Sequence, residues 1–420
     1  MKEIDVLLVY EHVSRELDCL ILIKLELEKI GLTSEIIPIH FNRYLNSIRY
    51  KPKIVVLPYL YSIENPTKKI FETSFENVVF LNLHHEQFYN DGTKEHMMPK
   101  DPYSKDVLHL AWNENFHNDL VMSGVSPDKI WTLGNPRTDT FYLPPKGNIS
   151  KYKELYKKFI FVPTTFSWAT VDEEYFLKIP SIDRNEFKHR RAITEKAASK
   201  YFQDFYILSK KMSSYVFLLR PHPFEDINKF KELFLKANAI DEVPSNILIN
   251  REGNVYDWLK ISDLCIGWCT TVNLEASAFN IPNIIYHPTY YPDSMNLSFF
   301  SSYNIIKDLD SLTDIIESLD SPSLVLNPVA VNLFGQVDGK VAYRIAKKIK
   351  NELDNSTHKI KFKPTCLFNA IKSIYIDSVK EVLFKLNLLH LVKKEFTGIL
   401  EDNMSSKKLK KYIDSLKKSI

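Results

Sequence analysis

The feature that most constrains the fold is the alternation of short apolar runs with helical patterns. In the first half, the runs IDVLLVY, TSEIIPI, KIVVLPYL and NVVFLNLH predict strands, and the intervening RELDCLILIKLELEKIG predicts a helix that ends at Gly31. This alternation is typical of a parallel sheet with helices on both faces. Ligands of such sheets bind beyond the carboxyl ends of the strands. Polar residues that directly follow a strand are therefore the first candidates for function.

A second unit of the same kind follows the segment LPPKGN, residues 143–148, whose prolines and glycine predict a linker. The runs KFIFVP, YVFLLR, NILI, DLCIG and NIIY predict its strands, and residues 183–213 predict a long polar helix. We therefore predict an α/β protein with two Rossmann-like parallel-sheet domains that face each other across a cleft. The predicted domains are residues 1–150 and 151–350, and residues 351–420 form a basic helical extension.

Composition excludes several classes of protein. The net charge of +3 over 420 residues argues against a nucleic-acid binder. Glycine occurs only 10 times, and neither GxGxxG nor GxxxxGK[ST] is present. The four scattered cysteines predict reduced thiols of a cytoplasmic protein instead of a disulfide framework. No run approaches the ~20 apolar residues of a membrane-spanning helix.

The carboxyl-terminal extension has a different charge balance. From His358 onward it contains 14 lysines against 6 acidic residues, with apolar residues at helical spacing in 373–396. Two interpretations stay open: a helical hairpin packed on the core, or a basic amphipathic surface that meets anionic lipid at the inner membrane face.

The motif RPHP follows the predicted strand VFLL. Pro221 and Pro223 restrict their own φ angles and favour extended backbone in the preceding residue, so His222 is held extended at the end of a strand. A histidine in this position suits a phosphate oxygen, to which it can donate a hydrogen bond. Arg220 is a second candidate, although its side chain should point to the opposite face. The alternative is a capped strand with a structural histidine.

A second motif is GWCTTVNLEA, which follows the strand DLCI. Here a helix is predicted to begin at Thr270 or Thr271, with a hydroxyl N-cap. The backbone N–H groups and the dipole at such a helix start favour phosphate binding. Glu275 lies one turn into the helix, where it can accept hydrogen bonds from ribose hydroxyls. The alternatives are simple capping for the threonines and a solvated helix residue for Glu275.

Taken together, these motifs resemble a known family. The chain resembles the GT-B glycosyltransferases of bacterial surface-carbohydrate biosynthesis, similar to capsule Kdo and nonulosonic-acid transferases and distantly to CDP-glycerol glycerophosphotransferases. The stretches that carry the resemblance are RELDCLILIKLELEKIG, LHHEQF, GVSPDKIWTLGNPRTD, FVPTTFS, LLRPHPFED, YDWLKISDLCIGWCTTVNLEASAFNIPNI and DGKVAYRIAKKI. The resemblance implies a metal-independent, nucleotide-sugar-dependent enzyme without a cofactor.

The resemblance also implies residue roles in the second domain. His222 with Pro223 would contact the phosphate or cytidine of the donor, Thr270 and Thr271 the phosphate, and Glu275 the ribose. Relatives often carry Gly-Ser-Thr or Ser-Ser where this chain has GWCTTV, so the choice between Thr270 and Thr271 stays open. Substrate-binding candidates of the same domain are Thr165 and Ser167, in the turn after its first strand.

The first domain is expected to hold the acceptor and the catalytic base. The candidates all follow predicted strands: Glu11, His12 and Arg15 in YEHVSRELD, His85 and Glu86 in LNLHHEQFY, and Arg137 in GNPRTD. His85, Glu86 or Glu11 would take a proton from an acceptor hydroxyl. Arg15 and Arg137 would bind substrate, since a guanidinium group can hold a carboxylate or phosphate. The alternative for each is a loop polar group or a helix cap. The remaining histidines lack metal-ligand spacing, so no metal site is predicted.

The predicted reaction is transfer of a sugar from a cytidine nucleotide, a CMP-ulosonic acid such as CMP-Kdo or a nonulosonic acid, to a cell-surface or lipid-linked glycan. Three alternatives stay open. The first is a polyol-phosphate transferase that uses CDP-glycerol or CDP-ribitol. The second is a sugar-nucleotide 2-epimerase, for which the acidic and histidine residues could not be matched. The third is a non-catalytic scaffold of capsule assembly.

Overall fold

A computed structural model describes most of the chain as two compact units. The described residues are 1–40, 43–88, 94–145, 149, 151–177, 183–223, 225–292, 303, 305–319, 332–355, 359–363, 371, 379, 382 and 404–418. Unit 1 comprises Met1–Pro144 and Asn332–Ile420, and unit 2 comprises Pro145–Val331. The chain therefore leaves unit 1 once and returns to it.

The strands are short. They are β1 (Lys2–Tyr10), β2 (Ser34–Pro38), β3 (Tyr50–Leu57), β4 (Phe75–Glu76), β5 (Val79–Asn82), β6 (Leu108–Ala111), β7 (Ile130–Thr132), β8 (Lys158–Pro163), β9 (Tyr215–Arg220), β10 (Ile247–Ile249), β11 (Leu264–Gly267), β12 (Asn283–Tyr286), β13 (Ile305–Ile306) and β14 (Lys361–Phe362).

The α-helices vary from one turn to 28 residues. They are α1 (Asp18–Lys29), α2 (Arg43–Arg49), α3 (Pro66–Ser74), α4 (Lys94–Met97), α5 (Pro102–Lys105), α6 (Glu114–Met122), α7 (Lys151–Leu155), α8 (Ser167–Thr170), α9 (Glu173–Phe176), α10 (Arg184–Lys211), α11 (Ile227–Asn238), α12 (Val255–Leu259), α13 (Val272–Ala278), α14 (Leu309–Glu317), α15 (Val341–Asn355) and α16 (Ser406–Lys417). Among these described helices, none is long and apolar enough to cross a bilayer.

Unit 1 is built on a six-stranded sheet in the order β2-β1-β3-β5-β6-β7. Every pairing in it is parallel. The central strand β1 is buried on both faces: Val6 and Leu8 belong to one apolar cluster, and Leu7 and Val9 belong to the other. This explains why its sequence is a continuous apolar run instead of an alternating one.

Helix α15 completes one face of unit 1. Its buried residues Val341, Ile345 and Ile349 lie in the same apolar cluster as β1 and α1. The sequence analysis ended the second domain at residue 350, which included this helix, and the structure corrects that assignment. The helix is amphipathic, and the apolar surface that covers its face comes from α1, more than 300 residues earlier in the chain.

The described part of the extension also packs on unit 1. Leu409 and Leu416 of α16 are buried in the cluster that contains α1. Tyr412 OH donates to Asp18 Oδ1 at 2.8 Å, and Lys417 Nζ lies 3.0 Å from Glu28 Oε2. The stretch 373–396, on which the membrane-surface interpretation rested, lies almost wholly outside the described residues.

Unit 2 repeats the architecture with the strand order β10-β9-β8-β11-β12-β13, again with parallel pairings throughout. The predicted strands are found, the long helix α10 covers Arg184–Lys211, and the segment 143–148 contains the point where unit 1 passes into unit 2. The prediction of an α/β fold with two parallel sheets is confirmed.

The start of α15 is capped by a residue that lies about 200 positions earlier. Asp139 is buried, and its two carboxyl oxygens accept hydrogen bonds from Val341 N at 3.1 Å and Ala342 N at 2.7 Å. We expect Asp139→Ala to lower the free energy of unfolding of unit 1 by about 2–4 kcal/mol, because a cap is lost and two buried N–H groups lose their acceptor.

Urea denaturation of the full chain measures this effect. The control is Asp310→Ala, which removes an exposed aspartate from the first turn of α14 and should change stability by less than ~0.5 kcal/mol. Equal stability of the Asp139 and Asp310 variants would contradict the assigned role of the cap.

Candidate functional site

The loop after β1 in unit 1 is organised by a buried glutamate. Residues Val13–Leu17 form one turn of π-helix, a rare conformation that is often found at functional sites. Glu16 is 1% exposed, and its Oε2 accepts hydrogen bonds from Glu11 N at 2.7 Å and His12 N at 3.4 Å. Burial raises the pKa of Glu16. The side chain thus fixes the backbone that presents Glu11 and Arg15.

Glu11 is held by groups from two neighbouring loops. His40 Nε2 lies 3.2 Å from Glu11 Oε1, and Tyr59 OH donates to the same oxygen at 3.0 Å. Arg43 Nη2 lies 3.0 Å from His40 Nδ1. Since arginine can only donate, Nδ1 accepts and Nε2 carries the proton that is shared with Glu11. Burial favours the neutral carboxyl, but the hydrogen bond from His40, the charge of His12 and the other donors lower the pKa of Glu11 overall.

His85 is a buried polar side chain of unit 1. It is 3% exposed, and neither ring nitrogen has a hydrogen-bond partner among the described residues. Burial first, and then the positive charges of Arg137 and Arg15, hold its pKa well below the usual value. The imidazole is therefore neutral near pH 7, so it offers one donor and one acceptor to a ligand. The preceding residue His84 has a φ of +45°, which is uncommon for a residue other than glycine.

Arg137 and Glu86 complete this group. Arg137 is 7% exposed, its backbone N–H donates to Asn135 Oδ1 at 2.9 Å, and its guanidinium carbon lies 5.7 Å from the centre of the Trp112 ring. Glu86 is half-buried. Burial and the charge of Glu86 raise the pKa of Tyr61. The predicted residues of unit 1 thus come together at the carboxyl edge of its sheet.

In unit 2, two threonines connect three strand ends. Thr164 N donates to the carbonyl of Arg220 at 3.0 Å, which joins the loops after β8 and β9. Thr165 Oγ1 lies 2.7 Å from the carbonyl oxygen of Trp268 and 2.8 Å from that of Cys269, which joins the loops after β8 and β11. The RPHP and GWCTT segments flank the same central strand. Their strands β9 and β11 are therefore about 10 Å apart at the sheet.

The Arg220 side chain is engaged by two backbone carbonyls. Its two terminal nitrogens donate to the carbonyls of Glu252 at 2.7 Å and Gly253 at 2.8 Å. Burial, together with the charge of Arg251, lowers its pKa to about 10. The side chain holds the loop between β10 and α12, so nucleotide binding by Arg220 stays a prediction without geometric support. His222 is half-buried in the loop on the other side of Pro221.

The GWCTT turn is tighter than its composition suggests. A Cβ atom on Gly267 would lie 1.6 Å from Asn273 Oδ1, so only glycine fits at this position. Cys269 has a φ of +45°. The sequence left open whether Thr270 or Thr271 provides the hydroxyl cap of α13, and Thr271, although it is the N-cap residue, makes no side-chain cap. Thr270 Oγ1 instead accepts from Val272 N at 3.3 Å.

The remaining predicted residues differ in exposure. Glu275 is 7% exposed, in contrast to the solvated side chain that was the alternative for it. Ser167 is half-buried at the start of α8, and Pro223 is exposed beside His222. Within the described residues, no three His, Cys, Asp or Glu side chains are placed to hold a metal ion.

Four residues of these edges were missed by the sequence analysis: Glu16, His40, Tyr59 and Glu225. His40 follows β2 by two residues and Tyr59 follows β3 by two residues, so the rule that strand ends converge identifies them once the strand ends are known. Glu16 and Glu225 are buried carboxyl groups, and their burial depends on packing that the sequence pattern does not show.

Comparison with known proteins shows a likeness of fold alone. No family model matches the chain, and no curated protein matches it in sequence. Among solved structures, it resembles MnaA of S. aureus in a complex with UDP, with a TM-score of 0.52 and 14% identity over 86% of this chain and 99% of the other. The UDP-GlcNAc 2-epimerase of Methanocaldococcus jannaschii matches with a TM-score of 0.53 and 13% identity, over 83% of this chain and all of the other.

A third similar structure is the wall teichoic acid polymerase TagF, with a TM-score of 0.53 and 14% identity over 84% of this chain and 90% of the other. These likenesses, with the two six-stranded parallel sheets, show that the chain has the GT-B fold.

The hydroxyl of Thr165 provides a test of how unit 2 holds its loops together. Thr165→Val keeps the shape of the side chain but leaves the carbonyls of Trp268 and Cys269 without this donor. We expect a loss of about 1–2 kcal/mol in the free energy of unfolding of unit 2. Chemical denaturation of Thr165→Val and of the matched Thr165→Ser checks this. Serine retains the hydroxyl, so a serine variant as unstable as the valine variant would argue against the hydrogen bonds.

Proposed function

We propose that this protein transfers a sugar from a cytidine nucleotide to a glycan acceptor, with the donor phosphate bound at the carboxyl edge of the unit 2 sheet. The single observation that carries the proposal is that the loop after β8 is bonded to both motifs: Thr164 N donates to the carbonyl of Arg220, two residues before His222, and Thr165 Oγ1 donates to the carbonyls of Trp268 and Cys269. In this proposal the histidine and the helix start, the two phosphate-binding features that the sequence predicted, act together at this sheet edge.

Each feature supports phosphate binding on physical grounds. Gly267 makes the tight turn possible, because the absence of a Cβ atom leaves room for the Asn273 side chain. The start of α13 favours an anion through its partial positive charge, with Thr270 and Thr271 beside it, although the N–H groups of Val272 and Asn273 already donate to Thr270. His222 offsets charge that develops on the leaving phosphate. In this proposal Glu275, which is nearly buried, accepts from the ribose.

Unit 1 is proposed to bind and activate the acceptor. Glu86 is half-buried and follows β5, so it is our choice for the base that accepts the proton of the acceptor hydroxyl. Glu11 is already held by His40 and Tyr59, which suits an orienting role better than proton transfer. His85, Arg15 and Arg137 form a site for an oxygen-rich, anionic acceptor group, because a neutral imidazole lies near two guanidinium groups.

A second candidate function is transfer of a polyol phosphate from CDP-glycerol or CDP-ribitol. The observation in its favour is the likeness to a teichoic acid polymerase across 84% of this chain. A sugar-nucleotide 2-epimerase is a third candidate, because one similar structure is a UDP-GlcNAc 2-epimerase and another is a complex with UDP. Among these candidates, the cytidine or uridine base of the bound nucleotide separates the transferases from the epimerase.

A thermal-shift panel of CMP, CDP, UDP and GDP tests the donor class. A ligand that binds only the folded state stabilises it by about 2.7 kcal/mol at 100 times its dissociation constant. We expect CMP or CDP to raise the melting temperature of the native protein and His222→Ala to remove at least half of this shift. The matched control is His189→Ala, an exposed histidine on α10 of the same unit, which should leave the shift unchanged.

Two results would contradict this assignment. Selective stabilisation by UDP would favour the epimerase, and it should then be followed by an assay for interconversion of UDP-GlcNAc and its 2-epimer. No stabilisation by any of the four nucleotides would favour the non-catalytic scaffold.

The proposed base is tested separately from nucleotide binding. Glu86→Gln should lower the turnover with a CMP-sugar donor by about 100- to 10,000-fold, because the amide cannot accept the proton. It should leave the thermal shift by CMP or CDP intact. Glu95→Gln changes an exposed glutamate of unit 1 and serves as the control. If Glu11→Gln abolished turnover while Glu86→Gln did not, the roles of the two carboxylates would be exchanged.

A further inference from the structure

The loop that carries His222 is closed by a glutamate three residues later. His222 N donates to Glu225 Oε2 at 2.8 Å, and Glu225 N donates to the carbonyl of His222 at 2.9 Å. One residue therefore binds both backbone polar groups of the histidine. These two bonds fix the backbone on which the imidazole stands.

The same turn is anchored to two other loops. Arg251 Nη1 donates to the carbonyl of Pro223 at 2.8 Å and to that of Glu225 at 2.7 Å, which connects the turn to the loop after β10. The backbone N–H of Phe166, in the loop after β8, also donates to the Glu225 carboxyl group. The turn is thus held from both sides of β9.

The Glu225 carboxyl group is enclosed. Glu225 is 2% exposed, and its second oxygen, Oε1, is buried and has no hydrogen-bond partner in the part of the chain that the structure describes. Burial raises its pKa to about 8, although the N–H groups of His222 and Phe166 and the positive charge of Arg251 oppose this shift. Near pH 7 the group is therefore protonated. Its Oε2 accepts the N–H of His222, so the proton of the neutral form lies on Oε1.

A neutral acid at this position has a consequence for the site. A carboxylate here would introduce a negative charge one turn away from the histidine that is proposed to meet a phosphate, and like charges repel in a poorly solvated environment. A neutral carboxyl group still accepts the N–H of His222, although more weakly than a carboxylate would, and it does so without that repulsion.

We propose that Glu225 is a positioning residue for His222, and that its uncharged carboxyl group is the form in which this loop binds an anionic ligand. The inference rests on the proposed function in so far as the ligand is a nucleotide. The assignment of the closed turn itself does not depend on it.

Affinity for CDP at several pH values tests the binding part. Wild type, Glu225→Gln and Glu225→Ala are compared by calorimetry between pH 6 and pH 9.5. We expect wild type to lose about tenfold in affinity between pH 7 and pH 9 relative to Glu225→Gln, whose amide oxygen still accepts from His222 N but cannot ionise. Glu225→Ala should bind weakly at every pH. Ionisation of CDP affects all three proteins alike, so the comparison removes it. Parallel pH profiles for wild type and Glu225→Gln would overturn the proposal.

Melting temperature at several pH values tests the turn without a ligand. The folded-state pKa of Glu225 lies above the ordinary glutamate value near 4.3, so its contribution to stability is complete in acid and is lost as the pH rises towards and through about 8. Wild type should therefore lose several degrees relative to Glu225→Gln between pH 5 and pH 9.

The two tests separate the two levels of the inference. If the melting difference depends on pH but CDP does not bind, the neutral, closed turn is supported. The same result would refute the proposed donor site and the role of the neutral carboxyl group in binding an anion. A difference that stays constant with pH would overturn the role of the neutral carboxyl group, whether or not CDP binds.

Discussion

Unit 1 depends on a hydrogen-bonded cap between residues far apart in the chain. The Asp139 carboxyl group accepts the first N–H groups of α15, and α15 in turn covers the apolar face shared by α1 and β1. A buried helix start without such an acceptor would leave its N–H groups unsatisfied. The cap therefore makes the return of the chain to unit 1 possible. It also fixes the loop in which Arg137 stands two residues earlier, so the scaffold and the candidate site share one segment.

The aromatic contacts of the returning segment reinforce this arrangement. Phe334 stacks on Trp112 and meets Phe88 edge to face. Gly335 has a φ of +68°, and a Cβ atom there would lie 1.9 Å from the Trp112 carbonyl oxygen. Arg137 lies near the same indole ring. The carboxyl edge of unit 1 is thus covered by residues from both of the chain segments that form it.

Burial governs the charge of both candidate sites. In unit 1 it keeps His84, His85 and His109 neutral near pH 7, and in unit 2 it favours the neutral forms of Glu225 and His287. These buried histidine and glutamate side chains near the strand ends therefore act as neutral hydrogen-bond donors and acceptors instead of as ions. This arrangement limits the desolvation cost of a polar site, because a buried unpaired ion is far more costly than a buried neutral group.

The sequence by itself determined the two parallel sheets, the strand ends and most of the candidate residues, because apolar runs and proline positions act locally. It placed Glu11, His85, His222 and Thr270 at the ends of strands, where the structure has them. Only the tertiary structure decided that α15 belongs to unit 1, that Arg220 binds two carbonyls and that Glu225 is enclosed. Each of these depends on contacts between segments separated in the chain, and the energy of such contacts is set by packing that no local pattern encodes.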